Sequence, residues 1–265
     1  MTKPTRLLWT PAIAFWWRDV IRFLRQRNRI IGALATPLVF WLLVGSGFGP
    51  SFRNPTAGAD AGSYLAYFFP GTLVLIMLFT AIFSTISVIE DRREGFLQGA
   101  LVAPLSPAAI PLGKFLGGMT LAVLQAALFC VLAPLAGMPL GLHQIALLIP
   151  ALVLVGLAMT GLGFLVAWPM DSTQGFHAIM NIFLMPLWMM SGALFPMPPG
   201  TGWLHWVGEI NPVSYGVTAI RAAFASGPGV TIPTGYSTGL VVTALFATLM
   251  FAISVRLVAK RSKSR

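Results

Sequence analysis

Charge is what this sequence has least of. Only 9% of its 265 residues are Asp, Glu, Lys or Arg, where a soluble domain carries roughly 25%. Hydrophobic residues make up 57% and the mean hydropathy is +0.82, so no water-soluble fold of this length could hide the apolar surface. The single cysteine, Cys130, excludes an intrachain disulfide framework and reads as a small packing residue. His143, His177 and His205 lack metal-ligand spacing, so no metal site is expected. No paired carboxylates fall inside the apolar runs, which argues against membrane chemistry that needs buried acids. Ala108 to Phe115 contains Gly113-Lys114 but fails as a phosphate loop, because Ala108 replaces the first glycine and Phe115 the Ser/Thr. The chain therefore shows no nucleotide site and reads as a non-enzyme without a cofactor of its own.

Long uncharged runs are present instead. One charge at the centre of a spanning helix costs about 2.5–3.5 kcal/mol, cancelling several leucines at about 0.3–0.6 each, so a run free of charge is informative. None occurs between Phe115 and Met170, and similar gaps cover Ile30–Phe52, Ala61–Ile89, Ser172–Gly208 and Ala222–Val255. Breakers such as Pro134, Gly137, Pro139 and Gly141 divide these gaps. The predicted fold is an all-α integral membrane protein with six transmembrane helices, near residues 30–48, 67–89, 115–135, 145–168, 175–195 and 237–255. Pro37 and Pro186 fall inside two of them, as points where the helices flex or as static kinks. Gly49–Ser63 reads as a short outer loop, and its Asn54-Pro55-Thr56 is no glycosylation acceptor because proline is central. No small-x-small cleavage pattern follows the first apolar run, so that helix is expected to remain as an anchor.

Seventeen Lys and Arg against seven Asp and Glu give a net charge of +10. The basic residues flank the apolar runs at the chain ends, which is an orientation pattern and argues against nucleic acid. Seven precede the first span, Arg92, Arg93 and Lys114 lie between the second and third, and five close the chain. The outer loops hold only Arg53 and Arg221, so both termini are expected inside. Residues 1–29 form an N-terminal amphipathic segment, 30–258 the transmembrane domain, and 259–265 a basic tail. In the first, Ile13, Trp16, Trp17, Val20 and Leu24 recur at helical spacing beside an arginine stripe of Arg18, Arg22, Arg25 and Arg29. This predicts a helix in the headgroup layer with its arginines on lipid phosphates; a helix packed on a protein partner is the alternative. Glycine pairs Gly45/Gly49 and Gly113/Gly117 permit close helix contact. The apolar stretch from Phe195 to Tyr236 is predicted to re-enter the outer leaflet before the last span and to pack on the bundle. Arg221 is expected to hold a lipid headgroup, pair with Glu209 or snorkel.

Two segments carry a family resemblance. Glu90-Asp91-Arg92-Arg93-Glu94-Gly95-Phe96-Leu97, with Leu101 to Ser106 and Gly113-Lys114, resembles the first cytoplasmic loop of type-2 ABC transporter permeases. Ser191 to Pro196, Trp203-Leu204, Asn211-Pro212-Val213-Ser214-Tyr215 and Arg221 resemble the re-entrant segment of that family. The chain is closest in pattern to its compact branch of daunorubicin-resistance and nodulation exporters. The resemblance implies a homodimeric permease in a bacterial cytoplasmic membrane, surrounded by membrane lipids and driven by a separate ABC ATPase dimer that binds ATP and Mg. It assigns Glu90 to Leu97 as the ATPase-coupling loop, with Phe96, Leu97 and Leu101 as anchors; a solvated helix end is the plainer reading of those charges. The cargo is expected to be amphipathic, lipid-like or lipid-linked, and drug, lipid and lipo-oligosaccharide stay open. Met185, Trp188, Met189 and Phe195 are candidate path residues or simply lipid-facing. A membrane scaffold and a membrane enzyme are the rival classes.

Overall fold

The computed structural model describes residues 8–48, 64–196, 202–227 and 233–263. The expected outer loop at Gly49–Ser63, Arg53 within it and the end residues 1–7 and 264–265 lie outside them, as do parts of the expected re-entrant stretch at 197–201 and 228–232. All regular structure among the described residues is helical: α1 Trp9–Leu24, α2 Arg27–Phe48, α3 Tyr64–Ser84, α4 Ile86–Arg93, α5 Phe96–Val102, α6 Ala109–Cys130, α7 Leu142–Ala167, α8 Thr173–Met189, α9 Trp203–Ile210, α10 Pro212–Ala225 and α11 Thr234–Lys263, with a 3-10 turn at Ala133–Ala136.

Among the described residues, four helical stretches are long and apolar enough to cross a bilayer: Tyr64–Arg93, Ala109–Cys130, Leu142–Ala167 and Gly235–Arg261. Two expected spans fall short of that standard. In α2 the apolar described part is Leu34–Gly47. The 17 residues of α8 rise only about 25 Å at 1.5 Å each, below a hydrocarbon core of about 30 Å. Helix α8 ends at Met189 where Leu194 was expected, because Gly192 turns the chain at a φ of 75°, a region open to glycine. Helix α11 continues through Lys263, so the described part of the basic tail is helical.

Helix α3 is the central post. Its apolar window is 83% buried, and α2, α6, α7, α8 and α10 all pack on it. An all-round apolar sequence suits a helix surrounded on every side. The outer helices bury one face each and leave residues such as Leu128, Ile149, Leu245, Ile182 and Leu43 exposed. In a membrane those faces meet lipid or other apolar helices at no hydrophobic cost.

Helix α1 lies against α6 through a small-residue saddle. A Cβ on Gly113 would fall 2.5 Å from Phe15 Cβ and 2.6 Å from the Ala12 carbonyl oxygen, and one on Gly117 would sit 3.3 Å from Asp19 Cβ. The Gly113/Gly117 pair thus receives a helix of the same chain. The Trp16 indole donates to Thr120 Oγ1 at 3.1 Å and Val20 is buried, so these two face the bundle. Trp9, Ile13, Trp17 and Leu24 are more than half exposed and form the outward apolar stripe. Of the other pair, Gly45 packs on Leu65 and Gly49 is outside the described residues.

We expect Gly113→Val to lower stability by about 1–3 kcal/mol, the usual range for overpacking. Thermal unfolding in detergent measures it, and Gly99→Val, at a position with open space around it, is the matched control.

Candidate functional site

Three helices meet around one buried ammonium. Lys114 is the lone charge of α6, and its Nζ donates to Asp91 Oδ2 at 2.6 Å, Ser87 Oγ at 2.9 Å and Asp19 Oδ1 at 3.0 Å. The side chains of Lys114 and Asp91 are 1% and 0% exposed and that of Asp19 8%. Taking an ion out of water costs several kcal/mol unless pairing and hydrogen bonds fill its valences. Here the three donor positions of the ammonium are all used.

Helix α1 delivers the second layer. Arg18 is ion-paired with Asp91 Oδ1 and lies over the Phe96 ring, 3.8 Å from its centroid. Arg22 reaches Glu94 at 3.0 Å, Glu90 at 3.4 Å and Asp91 at 3.5 Å. Partial burial opposes the Arg22 charge, but Glu90, Glu94 and Asp91 more than offset it and hold its pKa above the ordinary value. Arg18 and Arg22 therefore bind carboxylates of the loop, where lipid phosphates were expected, while Arg25 is exposed.

Helix α4 also grips the opposite side of the bundle. Arg92 donates to the Met170 carbonyl at 3.1 Å and to Asp171 at 3.2 Å, and it also donates to the Trp168 carbonyl. These groups follow the end of α7, where backbone carbonyls have no partner inside the helix. One eight-residue helix thus ties α1 and α6 through Asp91 and the α7–α8 turn through Arg92.

Beyond Arg93 the chain bends at Gly95, with φ at 78°, a left-handed value that favours glycine. Helix α5 then packs back against α4 and touches α11. Leu97, expected as an outward anchor, is 2% exposed and belongs to the core, and Leu101 is half-buried. Phe96 is 43% exposed and meets Phe15 edge-on at 5.7 Å. Arg93, Glu94, Phe96 and Val102 form the accessible face of the elbow.

At the other end of the bundle, the Gly192 and Leu194 carbonyls accept from Tyr64, Tyr67 and Arg221. Tyr67 Oη and Arg221 Nη2 both donate to the Gly192 oxygen at 3.0 Å, and Tyr64 Oη donates to that of Leu194 at 2.9 Å. Arg221 lies 4.4 Å from the Tyr67 ring centroid and does not pair with Glu209, which accepts from Tyr215 Oη at 3.3 Å. Asn211 caps α10 by accepting from the Val213 amide and donates to the Leu187 carbonyl, with Pro212 at the first helical position. Trp203 is exposed on α9.

A cavity of about 560 Å³ opens between α2, α3 and α8. Of the four candidate path residues, Met185 lines it. Trp188 is buried and donates to the Gly71 carbonyl at 2.8 Å, while Met189 and Phe195 are exposed. The described residues include no group of His, Cys, Asp and Glu able to hold a metal ion.

Sequence reasoning missed the Lys114 centre. Its signal was available: Asp19 is the only acidic residue before Glu90 apart from Asp60, and Lys114 is the only charge between Glu94 and Asp171.

Comparison with known proteins places these features. A family model described as ABC-2 type transporter matches residues 11–225. Nodulation protein J of Sinorhizobium fredii is 24% identical over 252 residues, covering 94% of this chain and 93% of that one. A chain of Cyanophora paradoxa named as a transport permease, ycf38, is 25% identical over 241 residues, covering 90% and 79%. A chain of Escherichia coli K12 named as a multidrug ABC transporter permease, YbhR, is 28% identical over 140 residues, covering 51% and 36%.

Breaking a buried ion group on one side leaves an unpaired charge, which costs about 3–5 kcal/mol. We expect Asp91→Asn to lower stability by that order in thermal unfolding. Asp91→Asn combined with Lys114→Met should lose less than the sum of the two single changes, since removing partners together leaves fewer stranded charges.

Proposed function

Because the chain belongs to the ABC-2 type transporter family, we propose that it is the permease half of an ATP-driven exporter, coupled to its motor through the α4–α5 elbow. Its multi-pass membrane character follows from the family and from four helices of spanning length and composition. ATP and Mg belong, in this reading, to a separate ABC ATPase dimer, and two copies of this chain form the gate. The functional membrane is the bacterial cytoplasmic membrane. Six crossings complete the topology, with α2 and α8 as the two shorter ones, residues 202–227 dipping into the outer leaflet, and both termini inside.

The observation that carries coupling is the position of α4. Its exposed continuation, Arg93 to Phe96, is accessible to a partner, while its buried side holds α1, α6 and the α7–α8 turn. A rigid partner moving against the elbow would displace four helices together, because packed and ion-paired elements shift as units. Phe96 supplies a half-exposed aromatic anchor at that surface, the residue type enriched where partners dock.

The path for cargo is the cavity between α2, α3 and α8. It has room for an amphiphile, and Met185 lines it beside rings from α2 and α3. Names of the relatives point to transport and, for one of them, to many drugs, which supports an amphipathic cargo.

Two measurements test this reading. Cysteine labelling at positions 8 and 263 of a Cys130→Ser background should find both sites reactive from the cytoplasmic side only; opposite sides would refute an even number of crossings. Copurification with an ABC ATPase should raise its hydrolysis on reconstitution. Glu94→Ala and Arg92→Ala should lower that stimulation several-fold while the protein still inserts. Unchanged stimulation would remove the coupling role from the elbow.

A further inference from the structure

A polar cavity of about 220 Å³ lies at the end of the bundle away from Lys114, walled by the turn after α8, by α9 and by α10. Gly192, His205, Glu209, Ser214, Tyr215 and Arg221 line it. The protein does not use all of their hydrogen-bonding capacity. Arg221 Nη2 donates to the Gly192 carbonyl at 3.0 Å, but its Nε is buried without a hydrogen-bond partner, and so is the Ser214 hydroxyl. Buried donors are nearly always paired in folded proteins. Two of them on residues of one cavity wall point to an acceptor that the chain itself does not supply.

The same wall carries a carboxylate. Glu209 is exposed, accepts from Tyr215 Oη at 3.3 Å through one oxygen and forms no pair with Arg221. A carboxylate has about four lone-pair positions, so capacity for another donor remains. Cation and anion thus face one cavity without neutralising each other. The outward side of α9 adds an independent observation. Trp203, Trp206 and Ile210 are all largely exposed and, at i, i+3 and i+7, form one apolar stripe, while His205 and Glu209 of the same helix line the cavity. Tryptophan in such a stripe belongs at the depth of lipid headgroups.

We propose that this cavity holds the headgroup of an ethanolamine phospholipid, with its phosphate on Arg221 and Ser214 and its primary ammonium on Glu209. The ligand is a resident lipid, separate from any cargo. The inference rests on the reading that residues 202–227 dip into a leaflet. A guanidinium matches phosphate geometry, and a primary ammonium brings three donors to a carboxylate. Choline brings none and is recognised by aromatic cages; among the described lining residues Tyr215 gives the one benzenoid ring. A glycerol headgroup has no cation and leaves Glu209 facing the phosphate. In size the cavity falls below the roughly 300–1,000 Å³ of sites that enclose drug-sized ligands, which suits a headgroup with its chains left outside.

The test counts lipids bound to the purified full chain in detergent by native mass spectrometry, during titration with dioleoyl phosphatidylethanolamine, phosphatidylcholine or phosphatidylglycerol. One ethanolamine lipid should be retained in preference to the other two. Glu209→Gln, a change on an exposed side chain that still accepts from Tyr215, should weaken the ethanolamine lipid about tenfold, the loss of one charge-assisted hydrogen bond, and bring it level with the choline lipid. Ser214→Ala should weaken all three. Soluble glycerophosphoethanolamine should displace the lipid only at far higher concentration. Equal retention of the three lipids by the wild type would overturn the proposal, as would a Glu209→Gln variant that keeps the ethanolamine preference. Displacement by the soluble headgroup at the lipid's own concentration would also overturn it, by making the ligand a soluble phosphate. Binding in detergent depends neither on leaflet nor on transport, so a negative result removes this site alone, while labelling at positions 8 and 263 remains the separate test of topology.

Discussion

A charge inside an apolar bundle must keep its partners, and in this protein the ammonium of Lys114 has three of them on two other helices. Asp19 comes from α1, Ser87 and Asp91 from α4. Separation of any one strands a charge where water cannot reach it, so the register of α1, α4 and α6 is fixed far more tightly than their apolar packing alone would require. Lipid offers little resistance to one apolar helix sliding on another, since tails and side chains are equally oily. The ion group supplies the specificity that the hydrophobic effect does not. From it the second layer follows: Arg18 and Arg22 extend the anionic contacts of α4 to α1, and Arg92 extends the hold to the carbonyls after α7.

Much of the bundle was legible in the order of residues. Uncharged runs located the central α3, the long α7 and α11, and breakers at Pro134 and Gly137 located the end of α6. The segments from Glu90 and at Ser191–Pro196 stand out in the sequence because their residue order resembles one family. Side-chain partners were not legible. Periodicity says which residues share a face, but Trp16 and Val20 turn to protein while Ile13 and Trp17 turn outward, and only the Gly113/Gly117 saddle explains the choice. Leu97 reads as an anchor in a charged stretch, yet Gly95 reverses the chain and sends it into the core. For Arg221 a headgroup, Glu209 and snorkelling were all open in the sequence; the Gly192 carbonyl takes the arginine.

The two ends of the bundle are secured by different chemistry. At one end, carboxylates and cations meet in a cluster. At the other, two phenols and a guanidinium donate to main-chain oxygens of the turn after α8, and the Trp188 indole donates to the Gly71 carbonyl of α3. The second arrangement suits irregular backbone at a depth where water does not satisfy it. Between these ends α2 and α8 flank α3 more openly than α6 and α7 do, and the large cavity sits there.

The stretch from Tyr64 to Arg93 is 30 residues long, or about 45 Å of helical rise against a hydrocarbon core of about 30 Å. That leaves roughly 15 Å beyond one perpendicular crossing, and the eight residues of α4 account for about 12 Å of rise. The stretch is interrupted once, at Thr85, whose hydroxyl turns back to the Ile82 carbonyl at 2.6 Å. The break divides the post into two arms of unequal length, with the ion group on the short one and the aromatic seat of Trp188 on the long one.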